Sequence, residues 1–219
     1  METAKKNDFI ELKYTGYVNG KAFDSNIEED LKEINPKAKV QKTIIVVGQG
    51  MIVKGVDSAL EGKEVGKEYK VTFPAKDGFG DRRKDMVKTI PLKVFTERKI
   101  NPEAGMAFAL DDMLVKVLAV SGARVIADFN NPLAGKELEY KFTVVRKIAD
   151  EDEKCRAIFG LLFKVVPEFE IKDKVIVRGP KGLEVFVNAL NQKFKELVGK
   201  EMQFELKEEK KESKEEVKN

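Results

Sequence analysis

The chain has 219 residues, 42% hydrophobic and 36% charged, enough apolar material for a real core beneath a densely charged surface. Lysine and arginine (41) nearly balance aspartate and glutamate (38), and a net charge of +3 argues against nucleic acid as the main partner. With no histidine and one cysteine, Cys155, the chain cannot run Ser-His-Asp, Cys-His or zinc-site chemistry, nor close an intramolecular disulfide.

A lone cysteine suits a reducing compartment, and Cys155 reads as a small apolar residue in a helix. The first residues, METAKKNDF, contain no apolar run of a secretory leader. No stretch approaches the roughly 20 apolar residues that cross a bilayer. The expectation is a cytoplasmic protein with no membrane partner. No phosphate-binding or dinucleotide fingerprint is present, since the glycines of Gly48-Gln49-Gly50 lack a completing third. No cofactor and no metal is expected. Any enzyme here works through apolar shape, carboxylates, tyrosines or backbone groups.

Phe9–Val18 alternates as a strand, and Asn19-Gly20 is a strong hairpin signal before a return strand at 22–24. Ser25 or Asn26 is positioned to cap a short helix over 27–34, which Asn35-Pro36 ends. Residues 43–47 are β-branched and predict a strand. Gly48 and Gly50 break it, the apolar pair Ile52-Val53 follows, and a short helix over 56–60 stops at Gly62. Residues 67–73 alternate as a strand before a loop over 74–80. Three strands are predicted at 105–110, 113–120 and 124–129, separated by Asp111-Asp112 and Ser121-Gly122, a compact antiparallel meander. A further strand covers 138–145.

From Asp150 an acidic helix start leads into an apolar helical pattern over 155–166. A strand over 170–177 and a turn at 179–182 precede an amphipathic helix, Leu183–Val198, with Val187, Leu190, Phe194 and Leu197 on one face. Gly199 caps it, a last strand covers 201–206, and the mixed-charge run 207–219 reads as disordered.

Three blocks in order, YTGYVNGKAFDS (14–25), TIIVVGQGMIVKGVDSALEGKEVG (43–66) and YKVTFPAKDGFG (69–80), resemble the FKBP-type peptidyl-prolyl isomerases. A fourth, DFNNPLAGK (128–136), resembles the DFNHPLAGK of SlyD-type members, which carry a domain inserted in the flap; Asn131 stands where that motif has histidine. The resemblance implies an α+β fold, an antiparallel half-barrel wrapped on a short helix. It assigns residues 1–86 and 130–149 to the isomerase domain and 87–129 to the insert. Residues 150–206 form a C-terminal α/β domain outside the resemblance.

The implied activity is isomerisation of X-Pro bonds in unfolded or partly folded proteins, with the insert binding chain. The resemblance places Tyr14, Phe23, Asp24, Ile52, Val53, Val56, Phe79 and Tyr140 around the catalytic pocket, with Leu133 at its rim. The Val53 amide would hold a substrate carbonyl, and Asp24 would face the twisting carbonyl or orient Tyr14. Val56 stands where many members have tryptophan, implying a wider floor. Phe79 stands where tyrosine is usual, which removes a hydroxyl. Met106, Phe108, Leu114 and Val117 are the candidate chain-binding residues of the insert. SlyD-type proteins often carry a histidine-rich nickel-binding tail; this chain has none.

Each residue also has a plainer reading. Tyr14, Phe23, Ile52 and Val53 serve equally as core, and Asp24 as a turn former. Three functions compete: an isomerase with chaperone activity, a binding module of the same fold with little catalysis, and a nucleic-acid factor suggested only by clusters such as Arg82-Arg83-Lys84. The long apolar stripe of the 183–198 helix, on a unit too small to cover it, predicts a homodimer through the C-terminal domain.

Overall fold

The computed structural model describes residues 1–110 and 113–207. The Asp111-Asp112 turn and the charged run from residue 208 therefore lie outside the described residues.

The first strand, β1 (Phe9–Val18), is the spine of the isomerase domain. Asn19 and Gly20 both take positive φ, 50° and 75°, the type I′ geometry that matches strand twist, and return the chain into β2 (Lys21–Ser25). Helix α1 (Glu28–Ile34) follows. Neither Ser25 nor Asn26 caps it, contrary to the sequence expectation. The Asn26 side chain instead accepts from the Tyr14 amide at 2.8 Å and donates to the Leu12 carbonyl at 2.7 Å, stitching the helix entrance to β1. Strand β3 (Thr43–Val46) pairs with the first half of β1 while β2 pairs with its second half.

Helix α2 (Lys54–Leu60) begins two residues earlier than the sequence suggests, and the glycine turn before it is held by Asp57. The two Asp57 carboxylate oxygens accept from the Gly48 and Gly50 amides at 2.8 and 2.9 Å. Strand β4 (Glu68–Phe73) leads into a 3-10 turn, Ala75–Asp77.

The insert starts with β5 (Val87–Pro91) and helix α3 (Leu92–Glu97), two elements the sequence did not separate from loop. The meander follows as β6 (Ala107–Leu110), β7 (Met113–Ser121) and β8 (Arg124–Asp128). The four strands form one antiparallel sheet in the order β5-β8-β7-β6. Its core is small: Phe95, Val117 and Val125 are buried, supported by Ile90, Leu92, Ile100 and Phe108.

Strand β9 (Leu138–Lys147) closes the isomerase sheet between β1 and β4, giving the path β2-β1-β9-β4 with β3 alongside β1. Val56 and Leu60 of α2 press into the concave face among Leu12, Tyr140, Phe142 and Val144.

The C-terminal unit comprises α4 (Glu151–Phe163), β10 (Glu168–Ile171), β11 (Val175–Gly179), α5 (Leu183–Val198) and β12 (Met202–Leu206). The single strand expected at 170–177 is two, folded as a hairpin. Lys172, Asp173 and Lys174 make the bend, with the Lys172 amide donating to the Lys174 carbonyl. Asp150 caps α4 by accepting from the Glu153 amide at 2.8 Å. Burial pushes the Cys155 thiol up to about 12, so it is no nucleophile at neutral pH.

This unit does not stand free. Phe9, Val46 and Ile148 of the isomerase domain join Ile158, Phe159, Val187 and Phe194 in one apolar cluster. Outside the cluster, Arg146 and Lys42 each bridge Glu11 to Glu153. These four half-buried charges form one network, with Arg146 donating to both Glu153 oxygens, and it adds to the junction. The cluster carries the junction, at roughly 1.5–3 kcal/mol per large apolar side chain buried. The α5 stripe is thus covered within the chain: Phe194 stacks on Phe159 at 5.4 Å, and Val187, Leu190 and Leu197 face the same cluster. The uncovered stripe on which the dimer was predicted does not exist.

Candidate functional site

The concave face of the isomerase sheet carries an aromatic cluster. Tyr14 from β1, Phe23 from β2, Phe73 from β4 and Tyr140 from β9 converge because alternate residues of neighbouring strands share a face. Tyr140 is the hub. Phe73 stacks on it at 5.7 Å, Phe23 meets it edge-on at 5.8 Å and Tyr14 lies tilted at 6.0 Å. Phe79, from the loop after β4, packs edge-on against Phe23 at 6.0 Å. Ile52 and Val53, at the entrance to α2, pack against the buried core to which Phe73 and Tyr140 belong.

Two glycines make this approach possible, and the sequence reading passed over both. A Cβ on Gly16 would sit 2.8 Å from the Tyr140 ring and 2.9 Å from that of Phe23. A Cβ on Gly55 would sit 2.2 Å from the Phe73 ring. Gly16 faces Tyr140 in the β1–β9 register, so the rings lie over bare backbone. Phe73 was missed too; strand alternation with Val71 and Tyr69 was the signal for it.

The polar groups of the site are few. The Tyr14 hydroxyl donates to an Asp24 carboxylate oxygen at 3.2 Å. Burial first, then the negative charge of Asp24 and this hydrogen bond, push Tyr14 up to about 12, so it remains a donor at any physiological pH. Tyr140 is raised further, chiefly by burial. The Val53 amide, at the N-cap of α2, makes no hydrogen bond among the described residues, whereas its carbonyl accepts from the Val56 and Asp57 amides. A free N–H at a helix start, beside an aromatic cluster, is a ready donor for a carbonyl.

The expected residues do not all take equal places. Tyr14, Phe23, Ile52, Val53, Phe79 and Tyr140 come together, and Asp24 joins through Tyr14. Val56 is fully buried in the core that also holds Tyr140 and Phe73, as suits a residue expected at the floor. Leu133 is outside the cluster, in a turn where its amide donates to Asn131 Oδ1 at 2.8 Å. Asn131 thus organises that turn with its own side chain.

The two chain crossings into the insert are pinned together. Arg82 pairs with Asp128 at 2.5 Å, and the Asn130 side chain both accepts from the Arg83 amide and donates to the Arg83 carbonyl. Burial opposes ionisation of Asp128, yet hydrogen bonds from Asn130 and the charge of Arg82 hold its carboxyl below the usual range. Arg83 pairs with Asp85. Both arginines of the Arg82-Arg83-Lys84 cluster are thus paired with carboxylates.

Within the insert the alternation of β7 decides which residues are presented. Leu114 (51% exposed) and Leu118 point outward, and Val115 and Val117 inward. Val117 is fully buried and Phe108 packs edge-on against Phe95 at 5.4 Å, so these two belong to the insert's core and not to a binding surface. Met106 and Leu114 are exposed, joined by Met113, Leu118, Val120 and Ile126. Leu114 and Leu118 floor a cavity of about 410 Å³ between the insert and the 130–136 segment of the isomerase domain. None of the aromatic residues of the site lines this hollow, so the two places are distinct.

A scan of family patterns matches residues 1–110 to "FKBP-type peptidyl-prolyl cis-trans isomerase" and residues 88–133 to "FKBP26, IF domain". The chain belongs to the FKBP-type peptidyl-prolyl cis-trans isomerase family and carries the insert-in-flap domain. It is 36% identical over 143 residues to the short-type peptidyl-prolyl cis-trans isomerase of Methanocaldococcus jannaschii, covering 64% of this chain and 90% of that protein. It is 34% identical over 145 residues to the isomerase SlyD of Treponema pallidum (63% and 79%), and 32% identical over 111 residues to SlyD of Escherichia coli (48% and 56%). The enzyme class is thus a peptidyl-prolyl cis-trans isomerase. No described helix is long and apolar enough to cross a membrane.

Proposed function

We propose that the chain accelerates proline-limited protein folding at the pocket of Tyr14, Phe23, Asp24, Ile52, Val53, Phe79 and Tyr140, while the insert holds unfolded chain beside it. The observation that carries this reading is a free Val53 amide at the edge of an aromatic cluster. An X-Pro bond resists rotation by about 18–20 kcal/mol, because twisting breaks amide resonance. The twisted amide is less dipolar than the planar one. A site walled by rings therefore favours the transition state over the ground state. The Val53 N–H fixes a neighbouring substrate carbonyl, so rotation occurs about one bond only. The Tyr14–Asp24 hydrogen bond supports Asp24 as the group that orients Tyr14.

Holding of unfolded chain is supported by the exposed Leu114 and Leu118, which line one hollow, and by the exposed Met106 elsewhere on the same small sheet. The domain limits 1–86 with 130–149, 87–129 and 150–206 are part of the proposal, as is a cytoplasmic workplace, suited to one unpaired cysteine. A homodimer through the C-terminal unit rests on apolar residues left exposed there, chiefly Val185 and Phe186 of α5 with Val165 and Leu206. Light scattering on the full chain at tens of micromolar decides it, and a monomer removes it.

A second reading, a binding module with little catalysis, is favoured by Phe79, which brings no hydroxyl to the pocket. The test is refolding of a protein limited by a trans-to-cis proline step. The wild-type chain accelerates it, and Tyr14→Ala with Asp24→Ala abolishes the acceleration while circular dichroism stays native. Full rate in that double variant overturns the pocket assignment, and no acceleration by the wild type favours the binding module.

A further inference from the structure

We infer that the groove between the insert and the isomerase domain selects chain segments in which a carboxylate lies beside apolar side chains. This rests on the chain-holding reading above and adds a charge preference to it. The floor of the groove is apolar, from Leu114 and Leu118 of β7 and Pro132 of the return segment. Its charged lining is unbalanced. Arg82, Lys116 and Lys136 are cationic, and Asp128 is the one anion among the lining residues.

Asp128 is already matched by Arg82 at 2.5 Å and by Asn130. Among the described residues Lys116 and Lys136 form no ion pair, as is true of many other lysines of the chain; what sets these two apart is that they line one groove whose single carboxylate is already matched. They come from the two domains that border the groove. Lys116 projects from the sheet, opposite Asp128 in the β7–β8 register, and Lys136 ends the 130–136 turn of the isomerase domain.

An extended segment lying on Leu114 and Leu118 passes between these ammonium groups. Its apolar side chains are covered by the floor, and a carboxylate on either side meets a lysine with no competing partner. A lysine in the same place meets two like charges in a partly enclosed space. The occupant is therefore an unfolded segment of mixed apolar and acidic character, and the preference weakens with salt because the ammonium groups reach water.

The experiment uses the full chain and three fluorescent peptides of one apolar, proline-containing sequence flanked by Glu, Gln or Lys. At low salt the Glu peptide binds about tenfold more tightly than the Lys peptide, with Gln between, a span set by two exposed charge contacts. The order collapses at high salt and reverses with Lys116→Glu plus Lys136→Glu. Thermal melting establishes that this variant is folded, and the single variants give an intermediate answer if it is not. Equal affinities for the Glu and Lys peptides, with Gln still bound, overturn the charge preference and leave chain holding intact. Failure of all three peptides to bind overturns both.

Discussion

The isomerase sheet and the insert sheet are both antiparallel, yet they use their apolar residues in opposite ways. The isomerase sheet buries its large rings: Tyr140 and Phe142 are almost wholly covered, and Phe73, Phe23 and Tyr14 close over Tyr140. The insert buries only Phe95, Val117 and Val125 in its core cluster and leaves Met106, Met113, Leu114, Leu118, Val120 and Ile126 exposed. The first arrangement fixes a geometry, as turnover about one bond demands. The second leaves adaptable apolar surface, as holding many different sequences demands. Under the proposed function, catalysis and capture fall on two different sheets, joined where the two chain crossings are pinned together.

The comparison breaks most sharply if precision is removed from the first sheet. Gly16→Ala puts a Cβ into the Tyr140 and Phe23 rings and should lower isomerisation of a tetrapeptide by about 100-fold, because sub-ångström misplacement at a positioned site is costly. Binding of an unfolded protein to the insert stays unchanged, and circular dichroism checks that the sheet is intact. A wild-type rate would show that ring placement does not matter.

Removing the second sheet gives the converse. Replacement of residues 87–129 by a short loop keeps tetrapeptide activity. It lowers activity on a refolding protein by about 10- to 100-fold, as the local concentration of chain is lost. Equal loss in the two assays would make the insert a structural support only.

A paired substitution sharpens the distinction within one strand. Val117→Asp buries a charge without a partner, at a cost of several kcal/mol, and melts the insert. Leu114→Asp, three residues away and exposed, changes the melting temperature by only a few degrees and weakens capture of unfolded chain. Similar melting curves for the two would contradict the alternation.

The smallest effects concern polar groups in the pocket. Phe79→Tyr restores a hydroxyl and should raise peptide activity a fewfold, about 1 kcal/mol for one hydrogen bond. The pH profile should be flat from about 6 to 9, with no histidine to titrate. Tyr14 is raised in the folded chain, so the stability its proton supports is intact below pH 10 and is lost as pH climbs through about 12. A step near neutrality would point to a group outside this pocket.

Much of this was legible in the sequence because it depends on local rules. Alternation marked β1 and β9, Asn19-Gly20 marked the first hairpin, and Leu183–Val198 was read to its last residue from its apolar period. The motif blocks pointed to the pocket residues through their resemblance to the family. Tertiary structure decided the rest. Whether Val117 or Leu114 faces out depends on which side of the insert sheet α3 covers, and no strand carries that information alone. Phe73 and Gly16 enter the site only when strands distant in sequence come into register. The α5 stripe was read correctly, but its partner was Phe159 and the cluster reaching Phe9 and Val46 of the same chain, not a second copy. A periodic pattern tells that a face must be buried; what buries it is settled by long-range packing, which the sequence does not encode locally.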